Sequence, residues 1–428
     1  MDQGSGTGAM VKTVIVGGGL MGLATAQALL ERGEQVTVVE AREDVALETS
    51  FGNAGMMTPS MGDPWNGPGV HRHLAASLFN PRSPMKLRLR ALPSLTTWGI
   101  RFLRNSARDR HLAATEANFR LGSYSVEETR GLRERLGLAY DAADRGTIKI
   151  FRDPEAMQEP LVLARHLATM GLKVIELDSA GAVAEEPMLA DIREHIAGAL
   201  RFPDDAVGDS LKFCRGLRDS LIGAGANMRV STRVERLLVD GGIVRGVLTD
   251  QGEVPADRVV VACGTWSARL LRSARVALPV KPAKGYSLTV QMAGMTDRPR
   301  IPVVDDAMHA AVAPIGDRLR VGGTAEFAGF DTSINRARVD NLASLLRAIY
   351  PRIAERIDFS KAEAWTGLRP MSCDGKPFIG PCGPRGLYVN AGHGHLGWTH
   401  AVGSGQLLAD LIGGREPAID PSAFRVDR

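Results

Sequence analysis

Gly17, Gly19 and Gly22 stand in G-x-G-x-x-G spacing, with Glu40 downstream, in VKTVIVGGGLMGLATAQALLERGEQVTVVE (residues 11–40). Glycines so spaced allow a tight turn, backbone approach to a pyrophosphate, and close packing of a helix on a strand. The helix that follows turns free N–H groups and its positive dipole end toward phosphate oxygens. An acid ending the second strand accepts hydrogen bonds from a ribose hydroxyl pair. That acid would repel a 2′-phosphate, so the expected nucleotide is FAD or NAD rather than NADP. The competing reading is a glycine-rich turn in an ordinary βαβ unit. It is weakened because strand, helix and acid are all present. Gly392 and Gly394 repeat this logic near the C-terminus, where a glycine loop aims a helix N-terminus at something electron-rich.

Other reactive side chains form no site. His71 and His73 stand two apart in a Pro/Gly-rich stretch without a suitably spaced third ligand, so no metal is expected. Cys214, Cys263, Cys373 and Cys382 are far apart and form no CxxC pair. They read as reduced thiols of a cytoplasmic protein, neither a zinc site nor a disulfide framework.

The elements that position these residues follow from the pattern. Val14, Ile15 and Val16 make a short apolar strand, 20–32 a helix, and 35–40 a second strand. Residues 41–60 suit a loop folding over a ligand, with the apolar pair Met56 and Met57 as a wall. Helical spacing marks 112–140 and 153–171, and 146–151 reads as a strand. After a change near Phe202 come a helix at 211–221 and strands at 227–230, 234–238, 243–248 and 258–263. These resume the nucleotide-domain pattern, with a hairpin at Asp240-Gly241-Gly242. Segments 284–291, 300–304, 310–314 and 318–321 read as a second, antiparallel set, followed by helix at 335–357. A strand at 387–390 and a helix to about residue 411 close the chain.

A chain of 428 residues accommodates two domains with substantial cores. Its 44% hydrophobic and 23% charged residues are ordinary for a globular protein, and a net charge of +4 does not suggest a nucleic-acid partner. Residues 1–9 lack the apolar core of a signal peptide and read as a flexible leader, and no apolar run is long enough to span a membrane. One stretch departs from the average. Arg72, Arg82, Lys86, Arg88, Arg90, Arg101, Arg104, Arg108 and Arg110 face a lone acid, Asp109. Leu92, Leu95, Trp98 and Phe102 among them lie at helical spacings. Such an element either docks on a membrane surface or packs its apolar side on the core.

The opening βαβ unit and the segments ETSFGNAG, VVVACGTWS, WTGLRPMSCDGKPFIG and NAGHGHLGW, in that order, resemble the FAD-dependent D-amino acid dehydrogenases. Their superfamily includes the glycine, sarcosine and D-amino acid oxidases. The resemblance spans residues 11 to about 414 and implies an α/β fold. A Rossmann-type FAD-binding domain would comprise 10–70, 203–280 and 365–428. A second α+β substrate domain, built on an antiparallel sheet, would comprise 71–202 and 281–364. It implies oxidative deamination, with hydride passing to flavin N5 and the imine hydrolysing to a 2-oxo acid and ammonia.

Carried over residue by residue, it places Gly17, Gly19, Leu20, Met21 and Gly22 at the pyrophosphate, and Glu40 with Ala41 at the adenosine ribose. Thr49, Ser50, Asn53, Ala54, Gly55 and Met56 fall against pyrophosphate and flavin. Val234 falls on adenine, and Cys263, Gly264 and Trp266 lie under the cofactor. Gly392, His393, Gly394, His395, Leu396 and Gly397, followed by Trp398 and Thr399, face the flavin's N1–C2=O edge. Arg369, in a motif with Gly367, falls at the superfamily's substrate-carboxylate arginine, and His395 reaches the substrate pocket; these two form the catalytic assignment. Cys373 does not match the place where some relatives attach FAD, so non-covalent FAD is expected. The implied partners are an amino acid substrate and an electron acceptor, a quinone of the respiratory chain or oxygen. The implied location is cytoplasmic, with peripheral contact on the inner face of the cytoplasmic membrane. Two alternatives remain: an oxygen-using oxidase of glycine, sarcosine or a cyclic amino acid, and a non-catalytic flavin-binding subunit of an electron-transfer complex.

Overall fold

The computed structural model describes residues 11–72, 74, 85–88 and 91–428; His73, Arg82, Leu89 and Arg90 lie outside them. The first strand, Lys12–Val16, pairs in parallel with Gln35–Val39 on one side and Arg258–Val261 on the other. Val14, Val16 and Val259 enter the core below this sheet, while Ile15, Val38 and Val260 enter the core above it. Burial on both faces is why the run is continuously apolar instead of alternating. Each such side chain contributes about 1.5–3 kcal/mol. The full order is Phe378–Pro381, Leu387–Ala391, Arg258–Val261, Lys12–Val16, Gln35–Val39, Asn227–Arg229, with only the first strand antiparallel.

Helices Leu20–Glu31, Ser210–Gly223 and Gly397–Gly413 cover one face with the long helix Arg108–Leu136. A Cβ on Gly405 would lie 2.6 Å from the Ala24 carbonyl carbon, so the first and last of these helices meet backbone to backbone. The other face packs on a three-stranded antiparallel sheet, Val234–Asp240, Ile243–Thr249 and Gly252–Pro255.

Among the described residues the larger sheet has nine strands. Glu363–Ser372 lies at one edge beside Val280–Gln291, followed by Arg318–Phe327, Ala310–Ile315, Val303–Asp305, Thr147–Phe151, Gly198–Phe202 and Ile175–Leu177; Met85–Leu87 adds to Arg318–Phe327. It is antiparallel except where Val303–Asp305 meets Thr147–Phe151 and Met85–Leu87 meets Arg318–Phe327. Those parallel pairings join strands far apart in the chain, which leaves room for the crossover a parallel pair requires.

Two sequence expectations change, and one that the sequence left open is decided. Residues 365–372, grouped by motif with the nucleotide domain, pair along Val280–Gln291 in the larger sheet. The helix expected over 335–357 breaks into Arg336–Ile349 and Pro351–Glu355, because a residue preceding proline avoids the helical region; Tyr350 takes φ −132° and ψ 73°. The point left open concerns the basic stretch, where helix Leu92–Arg104 takes the core-packing alternative and buries Leu95, Trp98 and Phe102 among Val70, Ala283, Phe327 and Met371. Trp98 Nε1 donates to the Met371 carbonyl at 3.2 Å. That stripe faces the protein's own core, and only Leu92 of the expected set is exposed, together with Ile100 and Leu103. Arg88 pairs with buried Glu326 and is not a free surface charge. Among the described residues no helix is long and apolar enough to cross a membrane.

Candidate active site

A cavity of about 1580 Å³ opens between the glycine loop of the parallel sheet and the arginine-bearing edge of the larger sheet. At its first end Gly17 adopts φ +114°, and its N–H donates to the Val39 carbonyl at 2.9 Å. A Cβ there would lie 2.6 Å from the Ala262 carbonyl oxygen, so only glycine fits. The following helix has no side-chain cap, and its first N–H, from Leu20, donates to Ser50 Oγ at 3.3 Å. Glu40 Oε2 accepts from the Gly18 N–H at 2.7 Å, and Oε1 from the Arg42 N–H at 2.8 Å; burial pushes this carboxyl up from its usual range. A bare loop, an uncapped helix N-terminus and a carboxylate at the second strand's end fit the pyrophosphate and ribose of a dinucleotide.

At the other end stands Arg369. Its Nη1 donates to the Thr324 carbonyl at 3.1 Å, and its Cζ lies 5.3 Å from the centre of the Trp65 ring. Trp65 stacks on His395, with ring centres 5.2 Å apart and planes 16° apart. The guanidinium lies deep in the protein, where desolvation lowers its pKa to about 10 and leaves it charged at neutral pH. Among the described residues no carboxylate forms an ion pair with it. His395 is lowered to about 4, chiefly by burial; nearby Asp63 opposes the shift and Arg369 adds to it. Opposite Gly367 in the sheet lies Gly285, where a Cβ would come within 2.4 Å of Arg369 Nη1.

Of the residues singled out from sequence, Gly17, Gly19, Leu20, Met21, Glu40, Ala41, Thr49, Ser50, Asn53, Ala54, Met56, Val234, Cys263, Gly264, Trp266, Gly367, Arg369, His393, Gly394, His395, Gly397 and Trp398 line this one cavity. Five do not. A Cβ on Gly22 would lie 1.8 Å from the Gly17 carbonyl oxygen, so its place is helix–strand packing. Gly55, at φ +74°, accepts from the Gly208 N–H. Gly392, at φ +88°, sits against Phe378 and Val280. Leu396 is buried in the core, and Thr399 Oγ1 accepts from the Thr58 N–H at 3.0 Å. Sequence reasoning missed Gly18, Trp65, Gly285, Tyr286 and Thr324, all of which but Gly18 line the cavity. Gly18 alone had a local signal, the third glycine of Gly17-Gly18-Gly19.

A parallel βαβ sheet carrying a nucleotide-type loop, joined through one cavity to a mixed sheet carrying an arginine, suits a dinucleotide at one end and an anionic ligand at the other. Comparison with known proteins makes this specific. The family described as FAD dependent oxidoreductase (DAO) matches residues 12–411. A protein named D-amino acid dehydrogenase from Bradyrhizobium diazoefficiens is 38% identical over 418 residues, 98% of this chain and 99% of that one. One of the same name from Methylobacterium radiotolerans is 39% identical over 407 residues, covering 95% and 96%. Among solved structures, glycine oxidase from Geobacillus kaustophilus is similar, with a TM-score of 0.76 and 25% identity across 98% of this chain and 99% of that one. L-proline dehydrogenase from P. horikoshii shares the fold, with a TM-score of 0.75 at 19% identity, covering 95% and 94%. This chain belongs to the FAD dependent oxidoreductase family, and its cofactor is FAD.

Proposed function

We propose that this enzyme oxidises a free D-amino acid to an imine, which water converts to a 2-oxo acid and ammonia. The observation that carries the reading is Arg369, a charged guanidinium deep in the protein, on the wall of the nucleotide cavity, without a paired carboxylate among the described residues. A partly desolvated cation without a counter-ion favours an incoming anion, and a guanidinium fork takes a carboxylate bidentately. The relatives named D-amino acid dehydrogenase support the substrate class.

Within this reading Gly17 and Gly19 hold the pyrophosphate and Glu40 the ribose, while the 392–397 loop lies along the flavin edge. FAD supplies two-electron acceptance. The chain's own residues bind and orient: Arg369 holds the carboxylate, and the Trp65–His395 stack walls that end of the cavity and limits water around the guanidinium. His395, unprotonated at neutral pH, adds no second positive charge. The placement of Cys373, which is buried with Ala283 and Met371 and does not line the cavity, supports non-covalent attachment. The FAD-binding part then comprises 11–70, helix Arg108–Leu136 that packs on its core, 203–280 and the chain beyond 372, and the substrate part the described residues of 71–107, 137–202 and 281–372. Electrons leave to a quinone or to oxygen. A cytoplasmic enzyme that reaches a membrane quinone needs a docking face. Exposed Leu92, Ile100 and Leu103 with Arg101, Arg104 and Arg108 on and beside one helix provide an amphipathic one.

Removing a charge-assisted contact in a desolvated site costs roughly 2–5 kcal/mol. Arg369→Ala should therefore raise KM steeply with flavin still bound, and Arg369→Lys should restore only part. If Arg369→Ala left kcat/KM within about threefold, less than 1 kcal/mol, this assignment would fail.

A further inference from the structure

Thr324 occupies an unusual backbone position beside the arginine. In the ladder between Val280–Gln291 and Arg318–Phe327, Gly285 pairs with Ala325 and Tyr286 with Gly323, so Thr324 is the extra residue of a β-bulge. It adopts φ +60°, in the left-handed region that β-branched residues avoid. Bulges of this kind re-aim groups next to sites, and here the Thr324 carbonyl is aimed at Arg369 Nη1. Aiming a carbonyl needs no side chain. Glycine would take this conformation without strain, and Gly322 and Gly323 stand immediately before it at positions with ordinary φ. The chain thus has a threonine at the one left-handed position of Gly322-Gly323-Thr324. Strain kept where a cheaper residue would serve points to a use for the side chain. Thr324 lines the cavity, and its Oγ1, shielded there, has no hydrogen-bond partner among the described residues.

We infer that the Thr324 hydroxyl is a second anchor for the substrate carboxylate, donating to it beside the Arg369 fork. The inference rests on the amino acid reading above. A hydroxyl next to a guanidinium that does not donate to it has its proton free for an incoming anion, and a buried polar group is stabilised once that bond forms. The bulge places both groups on one residue: the carbonyl accepts from the arginine, and the hydroxyl, shielded until a carboxylate enters, reaches it by rotation of the threonine side chain. No covalent step is involved; Thr324 binds and orients.

The test compares Thr324→Val, Thr324→Ser and Thr324→Gly holoenzymes, all of which keep the carbonyl that braces Arg369. Two readouts are taken: KM in dye-linked turnover of D-amino acids, and the affinity of acetate, a non-reacting carboxylate, from perturbation of the flavin spectrum. Valine keeps shape and strain but lacks the hydroxyl, so KM should rise and acetate affinity fall by about tenfold, the usual effect of losing a hydrogen bond to a charged group. Serine should stay within about threefold of wild type. Glycine should bind as poorly as valine yet melt at a higher temperature than wild type, because the left-handed strain is relieved. Wild-type acetate affinity in both Thr324→Val and Thr324→Gly would overturn the inference, as would a serine variant no better than valine. If wild type oxidises no D-amino acid, the substrate reading fails, and the acetate comparison still decides the role of Thr324.

Discussion

Arg369 and the histidines around it pose opposite electrostatic problems. The arginine stays charged in a desolvated place and invites an anion. His395, His400 and His393 stay neutral because burial penalises their protonated forms. His395 falls to about 4 and His400 to about 3, while His393 lies well below its usual value. An unfolded histidine protonates near pH 6.5, so as pH drops below about 6.5 the unfolded chain binds protons that the folded one refuses. Stability should therefore fall with pH through that window. His400 Nε2 lies 3.1 Å from the Asn118 carbonyl, an N–H bond that His400→Gln can keep while removing the titrating ring. The melting temperature of that variant should drop less than that of wild type between about pH 7 and about pH 5. Parallel profiles would mean that another group governs acid sensitivity.

At the scale of elements, the glycines of the nucleotide loop separate by what a side chain would meet. Gly22 and Gly17 are closed to any Cβ by the fold itself, whereas a Cβ on Gly19 would meet only Ser50 Oγ at 3.3 Å. Gly19→Val should thus lose most of its FAD while the apoprotein melts near wild type; full flavin content would contradict the pyrophosphate assignment. Helix Leu92–Arg104 illustrates where sequence reading ran short. Its apolar residues form two stripes, Leu95, Trp98 and Phe102 against Leu92, Ile100 and Leu103, and periodicity alone does not say which is buried. The docking reading now rests on the second stripe. Anionic liposomes should sediment the enzyme at low salt, about 1 kcal/mol per surface cation, and paired reversals at Arg101 and Arg104 should abolish this. Sedimentation unchanged by those reversals or by salt would remove the membrane from the account.

The nucleotide half of the site was legible because its strand, loop, helix and acid are contiguous in residues 11–40. The arginine end was legible only through the resemblance that placed Arg369. Its surroundings come from pairings no local pattern reveals: Gly285 against Gly367, the Thr324 bulge against Tyr286, and Trp65 on His395. The strands at 175–177 and 198–202 also escaped notice. The first is a short, largely exposed edge strand and the second is buried at every position, so neither alternates.

The whole molecule brings a nucleotide loop on one sheet and Arg369 on another to a single cavity, and in the proposed function these act together on a D-amino acid. Mixing the purified yellow holoenzyme anaerobically with single amino acids tests this most directly. D-enantiomers should bleach the flavin and yield one 2-oxo acid per flavin reduced, while their L-forms leave the colour unchanged. A flavin that stays oxidised with every D-amino acid, or that bleaches equally with both enantiomers, would overturn the proposed function.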